Sequence, residues 1–461
     1  MKAFTTLLIL LVLTTGYGIG ARASETSATG TIHLGDRLEL FLDRYLTDEV
    51  DGLEFRLQRP KRLPRPENPL PGYYATVIKD GDLYRGYYRD LIPGYAGKRG
   101  DGHAGEITCY AESLDGHEWR YPDLGIHEIR SSRGGNVLLA GAAPASHNFT
   151  PFLDVRPGVS AEKRFKALGG THPGGGLYAF HSPDGIHWKR THEEPVMTSK
   201  AFAFDSQNAV FWSEAEGQYV CYFRTWETRH GRLRTISRTT SADFLKWSEP
   251  VAMDPNEAGE HLYTNQTQPY FRGPHIYLAF PTRFFPERGN STDILFMASR
   301  AGSNTYTRLF REAYIRPGRE PERWGNRSNY LALNAVPTGP EEISLYHRSG
   351  HRYTLRTDGF ISLHAGWEEG EWVSKPFVFS GRELVLNLST SAAGSLRVEL
   401  LDGEGRVIPG FSLAECEELV GDGIEMTVSW KGERPLEALS GTPVRLRFVL
   451  REGDLYSFRF R

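Results

Sequence analysis

Three short segments of the chain line up on one another. ESLDGHEWRYP (112–122), HSPDGIHWKRT (181–191) and TSADFLKWSEP (240–250) share Ser113, Ser182 and Ser241 and, six residues on, Trp119, Trp188 and Trp247. The spacings are 69 and 59 residues. In each, Asp-Gly or its equivalent supplies a tight turn and Trp a large apolar plug one strand later. Recurrence at such a period means stacked supersecondary units, none of which can bury its apolar face alone. Between the turns lie alternating runs rich in Tyr, Val, Phe and Ile, bounded by Gly, Pro, Asp and Asn: TVIKDGDLYRGYYRD (76–90), AVFWSEAEGQYVCYFRTW (209–226), PYFRGPHIYLAFPTRF (269–284) and HRYTLRTDGFISLHAG (351–366). Each reads as two strands across a break, a hairpin, and no stretch after the N-terminal leader keeps a helical apolar period over twelve residues. Four strands with loops fill about this much chain, so the unit is a propeller blade. Blades are expected near 73–122, 147–191, 204–250, 263–312 and 326–365.

After Gly366 the pattern changes. WVSKPFVFSGRELVLNLSTS, GSLRVELLDGEGRVIPGF, GIEMTVSWKG and VRLRFVLREGDLYSFRF alternate cleanly and lack the Ser-x-Asp turn, as strands of a β-sandwich do. The fold class expected is therefore all-β: a five-bladed β-propeller over 73–365 followed by a C-terminal β-sandwich over 366–461. Residues 24–72 read as an N-terminal arm packing on the propeller, its Arg59–Pro69 stretch extended by four prolines. The first 23 residues have the form of a secretory signal peptide: Lys2, the apolar run LLILLVL from Leu7 to Leu13, then Ala21-Arg22-Ala23. That run is well short of the roughly 20 residues that span a bilayer. Cleavage after Ala23 and a secreted or periplasmic protein, free of the membrane, are expected.

Charge narrows the partners. Fifty-four Lys and Arg stand against 57 Asp and Glu, a net −3, so no global field exists to hold nucleic acid. The 49 Gly and 27 Pro match a chain of many turns. Only three cysteines occur, Cys109, Cys221 and Cys416, and strand-like surroundings mark them as small core residues rather than a disulfide framework. GTHPGGG (170–176) lacks the Lys-Ser/Thr of a phosphate loop and reads as a loop at a pocket rim. There is no nucleophile elbow and no H-x-H or H-E-x-x-H spacing, so neither a metal nor another cofactor is expected.

Signal peptide, five blades, Ser-x-Asp-Gly-x-x-Trp turns and C-terminal sandwich together resemble the secreted glycoside hydrolases of the family 32/43/68 type. In particular they are similar to glycosyl-hydrolase-like proteins of planctomycetes and related bacteria. The resemblance spans nearly the whole chain after residue 23, from LFLDRYL to LYSFRF. The W-M-N-D-P-N-G and E-C motifs of invertase-like members are missing, and FLDVRPG (152–158) is the nearest thing to their R-D-P. The resemblance thus passes one position to this chain, Asp154, as the second-blade carboxylate that holds the sugar and stabilises the transition state.

Glycosidic cleavage generally uses two carboxyl groups, one protonating the leaving oxygen and the other acting as base or nucleophile. In a propeller they should stand at the starts of innermost strands. On that basis Asp154 serves blade two, Asp205 blade three, and Glu342, rather than its outward neighbour Glu341, blade five. For blade one, Asp90 closes the YYRD strand, with Glu67, Asp80 and Asp82 also available. His147, His172, Asn208, Arg224, Asn265 and Arg283 lie at loop mouths and strand ends where they could bind sugar hydroxyls, as could Gln266. Trp212 and Trp226 fit core packing better than sugar stacking. The expected function is a glycoside hydrolase acting on a poly- or oligosaccharide in an axial pocket. The alternative is a carbohydrate-binding propeller without catalysis; the sugar and the oligomeric state stay open.

Overall fold

The three Ser-x-Asp turns close in the same way. Ser113 Oγ accepts the Gly116 N–H (2.9 Å), while Asp115 Oδ1 accepts those of His117 and Glu118 (2.7 and 3.0 Å). Ser182 with Asp184 and Ser241 with Asp243 repeat the pattern. The residue after Asp takes positive φ in all three: Gly116 (69°), Gly185 (76°) and Phe244 (70°). Glycine does so freely; Phe244 does so because its ring is buried against Phe152 and Tyr219 of neighbouring strands. Each turn delivers its Trp against the preceding blade. Trp119 meets Tyr346 edge-on (5.6 Å between centroids), Trp188 meets Tyr87, and Trp247 joins the cluster of Phe152 and Leu168.

The structure is a computed structural model that describes residues 31–461 apart from 72, 173, 174, 202 and 433. The expected leader lies outside the described residues. Helical structure among those described is limited to 3₁₀ turns of three or four residues, and no helix is long and apolar enough to cross a membrane.

Five small antiparallel sheets form the propeller. Blade I holds Thr76–Asp80, Leu83–Leu91, Glu106–Ser113 and Val137–Leu139; blade II holds Thr150–Leu153, Phe165–Thr171, Gly176–Ser182 and Lys189–Arg190. Blade III holds Ala209–Ser213, Gln218–Thr228, Gly231–Ser241 and Val251–Ala252. Blade IV holds Gln268–Tyr270, Gly273–Ala279 and Met297–Arg300, with Thr307 bridged to Ala298. Blade V holds Val336–Pro337, Glu342–Tyr346 and Arg352–Arg356, and its outermost strand is Lys61–Arg62 from the N-terminal arm. First strands of successive blades lie side by side. The ring closes where blade V meets blade I, through Val77 N–H to Leu333 O (3.0 Å) and Leu333 N–H to Ala75 O (2.8 Å). A separate sheet of His261–Leu262, Thr282–Phe285 and Ser291–Ile294 rises between the second and third strands of blade IV.

The axis is filled by amides. Gln207 donates to Ala75 O (3.0 Å) and Thr76 Oγ1 (2.8 Å) across the ring and accepts from Gln266 Nε2 (2.6 Å). Gln268 Oε1 accepts the Ala335 N–H (2.7 Å), tying blade IV to blade V. All are buried, so the expected axial pocket is stopped by this plug between the two rims.

Two expectations are corrected in the second half of the chain. HRYTLRTDGFISLHAG is not one hairpin: Arg352–Arg356 completes blade V, whereas Ile361–Ala365 pairs with Pro443–Phe460 in the C-terminal sheet. The arm does more than drape over the propeller, because Ile32–Gly35, Glu39–Leu40, Thr47–Asp51 and Glu54–Leu57 are all strands of that ten-stranded sheet. Phe41 enters the sandwich core beside Trp372 (5.5 Å), while Leu40 and Leu42 enter the blade IV core. Arg300 of blade IV then pins the arm through Glu39 (3.0 Å) and Asp43 (2.7 Å). The long strands Leu384–Asp402 and Pro443–Phe460 carry the sandwich, around a core of Trp372, Phe448 and Phe458. Cys109, Cys221 and Cys416 are free and buried.

Asp358 makes the transition between the two parts. It is fully buried with φ 63°, and Tyr270 of blade IV donates its hydroxyl to it. Ser457 Oγ (2.6 Å) and Asn387 Nδ2 (3.1 Å) of the sandwich donate to its other oxygen. Asp358→Ala would leave the Tyr270 and Ser457 hydroxyls buried without an acceptor, each costing roughly 1–3 kcal/mol, and cost Asn387 one of the two bonds its Nδ2 makes. We expect it to lower unfolding stability by about 3 kcal/mol or more in urea titration, with fluorescence of Trp372 and of the propeller tryptophans reporting whether the parts still melt together.

Candidate active site

Strand alternation fixes which face each candidate reaches. First strands start at one rim of the ring, called here the mouth, and second strands end there. Asp205 precedes the first strand of blade III and His147 that of blade II, so the two meet: His147 Nε2 lies 3.4 Å from Asp205 Oδ1. His147 Nδ1 lies 2.6 Å from Glu106 Oε2, at the start of the third strand of blade I. Arg224, late in the second strand of blade III, donates to Asp205 Oδ2 (2.5 Å), and Arg89 of blade I donates to Asn148 Oδ1 (2.9 Å) and faces Glu106 (3.9 Å).

The loop 92–105 brings a further carboxylate. Tyr95 stacks on His103 (5.1 Å), and Gly102 sits with φ 74° where a Cβ would meet Pro144 Cβ at 2.9 Å and Thr171 Cγ2 at 3.1 Å. Only glycine fits that approach without displacement. Its N–H points at His147 Nδ1 (3.0 Å), and the preceding residue, exposed Asp101, puts a carboxylate oxygen within 4.8 Å of both Asp205 and the His147 ring. These three groups are close enough to share a cation, but each of Asp205 and His147 is already committed to protein partners.

Charge is distributed unevenly among them. Burial opposes the Asp205 charge, but His147 and Arg224 bring its carboxyl down to about 2. Burial also works against Glu106, and the His147 hydrogen bond and Arg89 still hold it below the usual carboxylate range. His147 is buried too, yet the carboxylates on both ring nitrogens raise it above the ordinary 6.5.

Aromatic rings surround this group. Tyr73, Tyr74, Tyr330 and Tyr263 form a chain with centroids 5.0, 5.3 and 5.6 Å apart, and half-buried Trp226 stands at the rim beside Arg234 (4.5 Å). Sequence reading missed the tyrosines, Glu106 and Asp101. Each tyrosine precedes a first strand, which is a position signal; Asp101 lies in GKRGDGHAGE, which carries no signal beyond a loop.

The other candidates are placed elsewhere. Asp154 follows the end of its strand and so reaches the far rim, where it is buried, ion-paired with Lys166 and bonded to Tyr219 of blade III (2.8 Å). It latches two blades and does not meet Asp205. Glu342 begins a second strand and is likewise at the far rim, bonded to Arg352 (2.8 Å), with exposed Glu341 beside it. Asp80 is a similar latch to Arg164, and Glu67 is exposed with its N–H on Glu118. Asp90 is on the mouth side but turned into a small cavity with Arg133 and Arg348, bonded to Ser132 Oγ (2.8 Å). Asn208 braces its own turn through Phe204 O and Ser206 O, and Asn265 bridges to Gln207 O and Tyr222 O, both fully buried. Arg283 is held by Asp293 in the side sheet, and half-buried His172 accepts the Gly175 N–H on its carbonyl. Of the ten residues expected at the site, Asp205, His147 and Arg224 come together.

No protein-family model and no curated protein matches the chain. Among solved structures it is similar to a thermostable family-43 glycoside hydrolase (12% identity, 66% of this chain and 96% of that one, TM-score 0.43). It is similar also to the catalytic domain of a GH62 alpha-L-arabinofuranosidase from Coprinopsis cinerea (10%, 63% and 90%, 0.39) and to a beta-1,2-mannobiose phosphorylase from Listeria innocua (10%, 64% and 92%, 0.39). At such identities nothing about activity passes from these proteins to this chain.

The pKa pattern sets a pH signature. His147 is raised on folding, so its contribution to stability is complete below 6.5 and is lost as pH rises through its folded value. Asp205 is depressed, so its contribution is complete above 3.8 and is lost as pH falls toward about 2. Thermal melts of the wild type should therefore fall on the alkaline side more steeply than those of His147→Gln, and the His147 imidazole should titrate above 6.5 by NMR.

Proposed function

We propose that the protein is a glycoside hydrolase whose reaction takes place at the propeller mouth. The observation that carries this reading is the pairing of Asp205, half-buried and held ionised by Arg224 and His147, with exposed Asp101 less than 5 Å away. With an oxygen of each within 4.8 Å of the other, the carboxyls stand closer than the roughly 6.5–9.5 Å that admits a water in an inverting mechanism, so the pair fits a retaining one. Asp205 is the nucleophile: its charge is available at every pH above about 2 and its orientation is fixed from two sides. Asp101 transfers the proton to the leaving oxygen and later takes one from water. His147 and Glu106 position Asp205, and half-buried Tyr73 and Trp226 offer ring edges and faces on which a pyranose or furanose can lie.

A carbohydrate-binding propeller without turnover is the second reading, favoured by the two bonds that already engage Asp205. A glycan library separates the two. Hydrolysis by the wild type, reduced about 100-fold or more in both Asp205→Asn and Asp101→Asn and kept near wild type in Glu342→Gln, supports the hydrolase. Glycan binding with no turnover in any of them supports the second reading, and loss of turnover in Glu342→Gln alone would overturn the site. Retained anomeric configuration in the first-formed product, followed by NMR, tests the mechanism.

A further inference from the structure

The mouth holds more positive charge than its carboxylates balance. Three guanidinium groups gather on one ring: Arg224, Arg234 and Arg327 stand 5.4, 4.9 and 6.0 Å from the centroid of Tyr263. Arg89 lies over Tyr73 and Tyr74 (4.7 and 4.6 Å), and Arg348 over Tyr73 (5.2 Å). Arg224 is matched by Asp205 and Arg89 by Glu106. Arg234, Arg327 and Arg348 have no carboxylate within ion-pair distance among the described residues. Arg327 donates only to the hydroxyls of Tyr263 and Tyr73 (3.1 Å each), and Arg348 to the Arg327 carbonyl. The Nε of Arg234 has no hydrogen-bond partner, and burial and nearby Arg224 both lower its basicity.

The negative groups facing this cluster are Asp205, Glu106, Asp101 and, in the adjoining cavity of about 220 Å³, Asp90. The five arginines outnumber these four carboxylates. Ring faces stabilise guanidinium groups, and beyond the bonds to Tyr263, Tyr73 and the Arg327 carbonyl they leave further N–H groups of these arginines, the orphaned Arg234 Nε–H among them, for a ligand. Guanidinium N–H groups match carboxylate, sulfate and phosphate oxygens in bidentate geometry. The whole chain has a net charge of only −3, so this excess is a local one.

We propose that the glycan taken at this mouth carries an anionic group, a uronate carboxylate or a sulfate ester, and that Arg234, Arg327 and Arg348 receive it. The inference rests on the mouth being a glycan site, as argued above, and it adds the substrate class. It places the charged substituent on these guanidinium groups while the sugar ring lies against half-buried Tyr73 or Trp226 at the rim.

Binding at equilibrium tests this without depending on turnover. In an Asp205→Asn background, calorimetry would compare oligogalacturonide with its methyl ester, and a sulfated carrageenan oligosaccharide with its desulfated form. We expect at least one acidic member to bind about tenfold or more tightly than its neutral partner, with an affinity that falls as salt rises from 50 to 500 mM. Which pair discriminates tells carboxylate from sulfate. Arg327 is exposed, so Arg327→Gln should fold normally, and it should cost the acidic ligand about tenfold while leaving the neutral one unchanged. Arg234→Gln should act in the same direction. Equal binding of acidic and neutral members, or discrimination that survives both substitutions, overturns the inference and leaves the glycan site standing; no binding of any glycan overturns the site itself.

Discussion

A ring of five sheets must close, and closure is the constraint on which the rest of this structure depends. Each blade buries its faces only against its neighbours, so an open ring would expose two apolar faces at once. Here the last blade is finished by Lys61–Arg62 from the arm, and its first strand is bonded to blade I at Leu333. The arm is therefore a component of the propeller as well as of the sandwich. Leu40 and Leu42 on one side and Phe41 on the other make it the wedge between two cores. Asp358 does the same work at the far end of blade V, where one buried carboxylate collects donors from both parts.

Closure also separates the two rims by chemistry. At the far rim the ion pairs are self-contained: Asp80 with Arg164, Asp154 with Lys166 and Tyr219, Glu216 with Arg238 and Tyr277. Each joins a blade to the next. At the mouth, above the Gln207 and Gln266 plug, the carboxylates, His147 and the arginines belong to different blades and are incompletely matched. A rigid ring can hold such groups together because their separation is set by blade packing and not by the groups' own attraction, which is how a strained or charged site survives in a stable fold.

Much of the fold was legible because its signals are local. The turn that follows Ser113, Ser182 or Ser241 is made by hydrogen bonds within five residues, and the Trp that follows can be recognised as a plug from the sequence alone. Blade IV has no such turn, yet its hairpin 268–279 was readable from alternation. What misled was the far end of a strand. FLDVRPG looked like a sugar-binding carboxylate, but position before or after a four-residue strand decides which rim a side chain reaches, and Asp154 comes after it. HRYTLRTDGFISLHAG misled in a similar way: a turn at positive φ can fold a strand back on its partner or send it into another domain, and only packing chooses between them.

The sequence by itself determined the class of structure: all-β, blades marked by repeated turns, a sandwich behind them, Asp205, His147 and Arg224 as polar groups at strand ends. These follow from residue chemistry over short distances. Tertiary structure decided which of those groups face one another, because residues as far apart as Arg89, Asp101, His147, Asp205 and Arg327 share a site only through the circular order of the blades. It also decided the sign of the local field. Composition averages charge over the chain, whereas the ring gathers Arg89, Arg224, Arg234, Arg327 and Arg348 around the mouth tyrosines.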